Sequence, residues 1–246
     1  MKKGVRSWID SHKHPVAVLA AVLVVCVGGL LGSWWKASHS SVLAPSASSP
    51  STDSTPPQTS EDSWSLVLVN RQHPKDEMSP ATTSVEGVLV DSRIAENVKG
   101  FLAAARQIDP NEHLISGYRS VTYQETLYNG YVAQEMARRE ISQSEAEAIV
   151  QTYSQPAGSS EHQTGLAIDM STVDSLNESD PQVVARLKEI APKYGFVLRF
   201  EADKTSSTGI GYEDWHWRYV GVANARYMTE HHLSLEEYVA KRGQSG

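Results

Sequence analysis

The feature that most constrains this chain is an uncharged run of 20 residues near its amino terminus. Residues 16–35 read VAVLAAVLVVCVGGLLGSWW. With a rise of 1.5 Å per residue, a helix of that length spans about 30 Å, which is the thickness of the hydrocarbon core of a bilayer. The run therefore predicts one transmembrane helix, preceded by a short amino terminus at residues 1–15.

A cleaved secretory signal is the alternative interpretation of this run. The apolar core of such a signal is usually only about 7 to 15 residues long and ends at a small-x-small site. Here the run is longer, and the KASHSSV that follows is a weak cleavage site. Four basic residues and one acid precede the run, so the amino terminus is expected in the cytoplasm. We predict a single-pass anchor in the cell membrane, with the rest of the chain extracellular.

Residues 36–63 are rich in Ser, Pro and Thr and contain almost nothing to bury. Such a composition predicts a disordered linker between the membrane and a folded domain at residues 64–246. The first 36 residues carry a net charge of +4 out of the chain total of −7, which leaves −11 for the remainder. An acidic exported domain is a poor candidate for binding nucleic acid, so we predict no such partner.

Apolar patterning from residue 64 onward predicts helices and strands interspersed along the chain. Helices are predicted at residues 91–107, 121–139, 142–153 and 181–194, with two short ones near the carboxy terminus. Strands are predicted at residues 66–70, 166–170, 196–200 and 215–220, and residues 113–120, HLISGYRS, are predicted as a strand that leads into a turn. The order contains neither regular βαβ repeats nor a glycine-rich phosphate loop. It predicts the α+β class, with helices packed on a small antiparallel sheet.

The stretch SSEHQTGLAIDM, residues 159–170, places His162 and Asp169 on either side of a glycine. A strand period of two puts Asp169 on the face opposite Leu166 and Ile168. Gly165 allows the turn through which His162 can approach the same face. These two residues form either half of a metal site or an ordinary hydrogen-bonded surface pair, and the stretch alone does not decide.

A second stretch, GYEDWHWRYVG at residues 211–221, supplies a third group. Its alternation places His216 on one face and the tryptophans on the other. Two histidines and one carboxylate that leave a fourth position open are the arrangement of a catalytic zinc site. Glu213 is expected on the loop that enters the strand, where its carboxylate suits a general base. The alternative for Glu213 is a solvated loop acid.

These stretches, together with SGYRS upstream, resemble the VanY-type D-alanyl carboxypeptidases of the lysostaphin, D-Ala-D-Ala and hedgehog zinc-peptidase group. The pattern of that group is S-x-H-x-x-G-x-A-x-D followed by E-x-x-H. The residues that match it are Ser160, His162, Gly165, Ala167, Asp169, Glu213 and His216. Longer segments, among them SGYRSVTYQETLY and IAPKYGFVLRF, resemble the LdcB/DacB branch of LD-carboxypeptidases.

The resemblance implies a hedgehog/D-Ala-D-Ala peptidase-like fold and a zinc enzyme that trims the stem peptides of peptidoglycan. It implies that His162, Asp169 and His216 bind Zn2+ and that Glu213 is the catalytic base. Glu213 would take a proton from water and pass it to the departing amine.

The resemblance also assigns residues to the substrate. It implies that Arg119 faces the scissile carbonyl, where a guanidinium would stabilise the oxyanion. A buried salt bridge is the alternative for Arg119. Ser160 and Gln124 are expected to bind the terminal carboxylate or the peptide groups of the substrate.

The resemblance to LdcB/DacB predicts cleavage of the terminal bond of the tetrapeptide stem, which is an LD-carboxypeptidase reaction. The alternative is a DD-carboxypeptidase acting on pentapeptide stems, because the motif residues are common to both. A further alternative is a non-catalytic, zinc-bearing module that binds the wall. Such a binder has no reason to place Glu213 beside the open coordination position.

Three acidic residues follow the strand that carries Asp169. Asp174, Glu178 and Asp180 form either a solvated loop or a negative rim that attracts the amine of a diamino acid in the substrate.

Overall fold

The computed structural model describes residues 55–175 and 177–243 of the 246-residue chain. The predicted membrane span at 16–35 and most of the predicted linker lie outside these residues. Within the described part, the structure contains no helix that combines the length and the apolar character needed to cross a bilayer.

The described residues fold into helices interspersed with two small sheets. The α-helices are α1 Asp62–Ser65, α2 Ala95–Ala105, α3 Val121–Arg139, α4 Gln143–Val150, α5 Pro181–Ile190, α6 Thr205–Thr208, α7 Val222–Glu230 and α8 Leu235–Gly243. The strands are β1 Thr82–Val85, β2 Val88–Asp91, β3 His113–Ser116, β4 Ala167–Ser171, β5 Phe196–Leu198 and β6 His216–Tyr219. This is the predicted α+β class.

The larger sheet has the strand order β3-β4-β6-β5, and every neighbouring pair is antiparallel. Its two faces differ, as the alternation along β4 and β6 predicts. Ile168 and Trp217 are fully buried in the main core, together with residues of α2 and α5. Asp169 and His216 therefore lie on the opposite face.

Two smaller apolar clusters flank this core. One packs α3 against α4 through Tyr128, Val132 and Val150. The other lies beneath α7 and α8 and contains Met228 and Tyr238. Helices α3, α4, α7 and α8 thus pack in these two clusters, and the polar face of the sheet is left for the site.

Strand β1 and strand β2 form a hairpin that the sequence analysis did not predict. Its register pairs Val85 with Val88, and Glu86 and Gly87 form a two-residue turn with φ values of 48° and 88°. A positive φ at both turn residues is the geometry that matches the twist of a tight hairpin. Asp91 ends the hairpin, and its carboxylate accepts from the amide of Arg93 at 2.9 Å.

The strand predicted at residues 66–70 is wrong. Apart from an isolated bridge between Asn70 and His73, the segment has no strand pairing within the described residues. The guanidinium of Arg218 instead donates to the carbonyl oxygens of Ser65 and Val67, at 2.9 and 2.8 Å. Leu66 and Val69 are buried. The apolar pattern of this segment therefore reflects its burial, although its backbone is irregular and does not form a strand.

The helix predicted at residues 181–194 is α-helical only to Ile190 and continues as a 3-10 helix at Ala191–Tyr194. It ends at Gly195, as predicted, with a left-handed φ of 83°.

The compact unit begins at Thr55, so the last residues of the segment predicted as a linker belong to the folded unit. Asp62 pairs with Arg242 at 2.6 Å, which joins the start of this unit to α8.

Candidate metal centre

The register of the larger sheet sets three polar side chains in a row. Asp169 of β4 lies directly opposite His216 of β6 on one side and Ser116 of β3 on the other. Cross-strand neighbours have closely spaced side chains, so this register alone brings the carboxylate and the imidazole together. The hydroxyl of Ser116 donates to Asp169 Oδ2, which leaves Oδ1 facing the histidines.

His162 reaches the same place from the loop before β4. A short 3-10 helix, Glu161–Thr164, ends at Gly165, whose φ is 69°. A Cβ atom there would lie 2.9 Å from the amide nitrogen of Asp91, so the position requires glycine for space as well as for conformation. The prediction that Gly165 turns His162 toward Asp169 is confirmed.

The backbone of Gly117 orients the ring of His162. His162 Nδ1 donates to the carbonyl oxygen of Gly117 at 2.7 Å, which leaves Nε2 with its lone pair toward Asp169. Gly117 packs so closely on β2 that a Cβ atom would lie 2.3 Å from the carbonyl oxygen of Leu89. This close approach fixes the carbonyl that holds the ring.

The three side chains predicted as ligands converge and are buried. His162 Nε2 lies 3.4 Å from Asp169 Oδ1, and His216 Nδ1 lies 3.5 Å from the same oxygen. One ligand atom from each residue lies within 4.8 Å of those of the other two. Asp169 Oδ1 has no hydrogen-bond partner among residues 55–175 and 177–243.

These residues fit zinc. Ligand atoms about 2.0 to 2.2 Å from a tetrahedral zinc lie about 3.3 to 3.6 Å from one another, which compares closely with the two distances to Asp169 Oδ1. Two imidazole nitrogens and one carboxylate oxygen are a zinc donor set with one position left open. The orphaned carboxylate oxygen also needs a positive partner, since a buried charge without one is costly.

Local charges keep both kinds of ligand in the form that binds a metal. Burial and the nearby guanidinium of Arg119 lower the pKa of His162, which favours the neutral ring that a metal requires. Burial alone would raise the pKa of Asp169, but His162, His216 and Arg119 lower it below its usual range. Asp169 is therefore ionised.

Glu213 lies on the loop that enters β6, where it was predicted. Its amide donates to the carbonyl oxygen of Phe200 at 3.0 Å, and its Oε2 lies 3.4 Å from His216 Nδ1. Burial raises the pKa of Glu213 well above its usual value, and the charge of Asp169 adds to the shift. A buried carboxylate with a raised pKa is suited to accepting and returning a proton.

Asn177, in the loop after β4, binds the backbone of the residues on both sides of Glu213. Asn177 Oδ1 accepts from the amide of Asp214 at 3.1 Å, and Asn177 Nδ2 donates to the carbonyl oxygen of Tyr212 at 2.8 Å. Asn177 itself has a left-handed φ of 56°. No local pattern in the sequence predicts this contact, because the two segments lie about 35 residues apart.

Arg119 lies at the edge of the same centre. Its amide donates to the carbonyl oxygen of His162 at 3.1 Å. Its positive charge acts on the pKa values of His162, Asp169 and Glu213 alike. Its Nε is buried and has no hydrogen-bond partner in the described part of the chain, so the buried salt bridge considered as an alternative is not made through that atom.

The two remaining predicted residues have different surroundings. Ser160 is buried directly before the 3-10 helix that carries His162 and does not cap that helix with its side chain. Gln124 is buried in α3, and its amide donates to the carbonyl oxygen of Gln155 at 2.6 Å. Gln124 is thus used to tie α3 to the loop after α4, while its Oε1 has no partner among the described residues.

A buried charge cluster behind His216 was missed by the sequence analysis. Glu161 Oε1 accepts from Arg199 Nε at 2.9 Å and from Arg218 Nη1 at 2.8 Å. Burial alone would raise the pKa of Glu161, but Arg199 and Arg218 lower it below its usual range. The strand period places Arg218 on the same face of β6 as His216. A buried arginine on that face requires an acidic partner, so the sequence does contain a signal for an acid at this position.

Comparison with known families identifies the chain. Residues 87–222 match the model of the VanY family, described as D-alanyl-D-alanine carboxypeptidase. The chain belongs to this family. It is also 36% identical over 188 residues to a D-alanyl-D-alanine carboxypeptidase of Enterococcus faecalis (strain ATCC 700802 / V583), covering 74% of this chain and 68% of that protein.

Solved structures of VanY relatives share the fold. VanYB in complex with D-alanine-D-alanine superposes with a TM-score of 0.65 at 34% identity, covering 72% of this chain and 98% of that one. The LdcB LD-carboxypeptidase gives a TM-score of 0.56 at 29% identity, covering 71% of this chain and 85% of that one.

A third VanY structure bears on the metal. A vancomycin resistance D,D-pentapeptidase VanY, solved in complex with Zn(II), has a TM-score of 0.63 and 34% identity, covering 72% of this chain and 99% of that one. Zinc is thus the metal that a VanY relative holds, and the group formed by His162, Asp169 and His216 fits it.

Proposed function

We propose that this chain is a zinc-dependent carboxypeptidase that removes the terminal D-alanine from peptidoglycan stem peptides. The observation that carries the proposal is the placement of Glu213 beside three converging ligand atoms, with its Oε2 3.4 Å from His216 Nδ1. A zinc-bearing binding module needs the ligands but not that carboxylate. The D-alanine in the proposal comes from relatives described as D-alanyl-D-alanine carboxypeptidases.

When bound, zinc supplies Lewis acidity, which makes water easier to deprotonate and polarises a carbonyl. His162, Asp169 and His216 would hold the ion. Glu213 would accept the proton of the attacking water and return it to the departing amine nitrogen, so that the protons balance over the cycle. A raised pKa makes the ionised carboxylate of Glu213 a stronger base than an ordinary glutamate.

Arg119 would stabilise the negative charge that develops on the carbonyl oxygen. Its buried Nε has no partner within the described residues and is therefore a free donor. Ser160, buried beside His162, is proposed to contact the substrate, as the family resemblance implies. Gln124 is proposed in the same role through its unpartnered Oε1, since its amide nitrogen is already engaged.

The terminal bond of the tetrapeptide remains the proposed site of cleavage, on the strength of the segments that resemble LdcB and DacB. The acidic rim gives this choice little support. Asp174 pairs with His113 at 2.9 Å, and Asp180 caps α5 through the amide of Gln182 at 2.8 Å. Two of the three carboxylates are therefore engaged within the protein.

Cleavage of pentapeptide stems is the second candidate. Sequence identity favours it, because the E. faecalis D-alanyl-D-alanine carboxypeptidase is 36% identical to this chain and VanYB is 34% identical, against 29% for the LdcB LD-carboxypeptidase. Catalytic efficiencies on tetrapeptide and pentapeptide stems with the same first four residues decide between the two. The LD proposal predicts a higher kcat/KM on the tetrapeptide, and faster cleavage of the pentapeptide would replace it with the DD reaction.

We further propose that the domain acts outside the cell, attached to the membrane by the apolar run at residues 16–35. The sequence supports this through the length of the run and the basic residues before it. Protease treatment of intact cells that express the full chain would test it. Loss of the domain with survival of a short amino-terminal fragment is expected, whereas full protection would contradict the proposed orientation.

A further inference from the structure

The buried carboxylate of Glu161 uses its two oxygens differently. Oε1 accepts from both arginines, Arg199 and Arg218, at 2.9 and 2.8 Å. Oε2 faces the other way and lies 3.5 Å from His216 Nε2. Both atoms are buried, and neither has a hydrogen-bond partner among the described residues. Within the described part of the chain, the carboxylate oxygen and the ring nitrogen thus face each other without a hydrogen bond to any third group.

We propose that Glu161 is the positioning residue of His216, accepting the proton of Nε2 so that Nδ1 is left unprotonated for the metal. The ring of His216 has two nitrogens, and a metal ligand must present the one without a proton. Nδ1 is the nitrogen that lies 3.5 Å from Asp169 Oδ1. A carboxylate at Nε2 selects that tautomer and also orients the ring.

The other two proposed ligands, His162 and Asp169, each have a hydrogen-bond partner that orients the side chain. With Glu161 at His216, each of the three would have one. His162 donates through Nδ1 to the carbonyl oxygen of Gly117, and Asp169 accepts from the hydroxyl of Ser116. Glu161 supplies the third contact. Partners of this kind typically contribute about 10- to 100-fold in metal affinity.

A purely structural role for Glu161 would require only Oε1. The two arginines bind that oxygen alone, and the network continues outward from Arg199 to Glu236 of α8, at 2.6 and 2.9 Å. Glu236 is thus a carboxylate of the same ion network, and within the described residues it forms no ion pair with His216. It provides a matched control, since Glu161→Gln and Glu236→Gln each replace one carboxylate bound to Arg199.

The inference rests on the metal site of the proposed function, and its test separates the two. Long-range 1H–15N spectra of the metal-free full chain would assign the tautomer of His216, with proton on Nε2 expected in the wild type and a mixed or Nδ1-protonated ring in Glu161→Gln. Competition with a chelator would measure zinc affinity, with about 10- to 100-fold weaker binding expected for Glu161→Gln and near wild-type binding for Glu236→Gln.

Three results would overturn the inference. The first is a wild-type His216 protonated on Nδ1, which requires no variant to fold. The second is unchanged zinc affinity in Glu161→Gln. The third is an equal loss of affinity in Glu236→Gln, which would assign the effect to the ion network as a whole. If the wild type itself binds no zinc, the proposed function fails along with the inference.

Discussion

At the scale of single residues, the proposed function assigns zinc binding and proton transfer to different side chains. His162, Asp169 and His216 present converging atoms, whereas Glu213 approaches from the loop before β6 and does not belong to the ligand group. Replacing a ligand should therefore remove zinc. Replacing Glu213 should leave the ion in place and remove only the proton carrier.

Glu213→Gln keeps the shape of the side chain and removes its basicity. We expect zinc content and thermal stability to stay near wild type while kcat falls by about 100- to 10,000-fold, because general acid-base catalysis contributes on that order. Elemental analysis and steady-state kinetics on a stem peptide would measure both. Glu96→Gln, at an exposed carboxylate of α2, is the control. Turnover close to wild type in Glu213→Gln would show that another group moves the proton.

The convergence of His162, Asp169 and His216 could be predicted from the sequence because it is local or depends on the strand period. Asp169 and His216 each follow from alternation along one strand, and His162 from the turn at Gly165. Glu161 and Ser116 were not predicted as partners of those ligands. Their roles depend on residues from 53 to 55 positions away, which alternation along a single strand does not connect.

At the scale of elements, the loop after β4 positions the segment that carries Glu213. Asn177 bonds to Tyr212 and Asp214 and so brackets Glu213. Asn177→Gly removes both bonds but still allows the left-handed φ of 56°. We expect a loss in kcat of about 10- to 100-fold, since a displacement of about 1 Å in a catalytic group has an effect of that size.

Zinc affinity in the Asn177→Gly variant should remain at the wild-type level, because no ligand is touched. Asn111→Gly provides the control, since Asn111 lies in an exposed turn and its side chain donates to the carboxylate of its near neighbour Asp109. Unchanged kcat in Asn177→Gly would mean that the amide of Glu213, bound to Phe200, suffices to hold the loop.

The turn before β3 carries a pH dependence of stability. Burial, with help from the charge of Asp109, raises the pKa of Glu112 from 4.5 to about 7. Between these values the folded state holds a proton that the unfolded state has lost. Stability therefore falls as the pH rises through that window.

Glu112→Gln should remove this dependence, because the amide stays neutral at every pH. Thermal unfolding should show a higher Tm for the variant than for the wild type at pH 8 and similar values at pH 4. An equal difference between the two proteins at both pH values would show that Glu112 does not titrate in this window.

Element prediction succeeded where the apolar pattern is long and failed where it is short. Ile94, Val98 and Phe101 lie in the core as their helical spacing predicts. Residues 66–70 were wrongly predicted as a strand because five apolar or small polar residues do not reveal whether their carbonyl oxygens face a neighbouring strand or, as here, a guanidinium. The hairpin was missed although Glu86-Gly87 is a tight turn.

At the scale of the whole molecule, both ends of the folded unit take part in holding the centre. The family match covers residues 87–222. Arg218 nevertheless donates to Ser65 and Val67 before that region, and Arg199 binds Glu236 after it. Composition predicted a folded domain from residue 64, but packing extends the unit to Thr55, because Pro57 and Asp62 accept from Arg242. Such contacts depend on a residue 180 or more positions away and cannot be seen in a Ser/Pro/Thr-rich stretch.

The most direct measurement is mass spectrometry of defined muropeptides incubated with the zinc-loaded full chain and, in parallel, with its Asp169→Ala variant. Three ligands leave no redundancy, so the variant should hold almost no zinc. The wild type is predicted to release free D-alanine and a stem shortened by that one residue, while stems incubated with Asp169→Ala stay intact. Cleavage at an internal bond by the wild type, or equal shortening by a variant that elemental analysis shows to be zinc-free, would contradict the account.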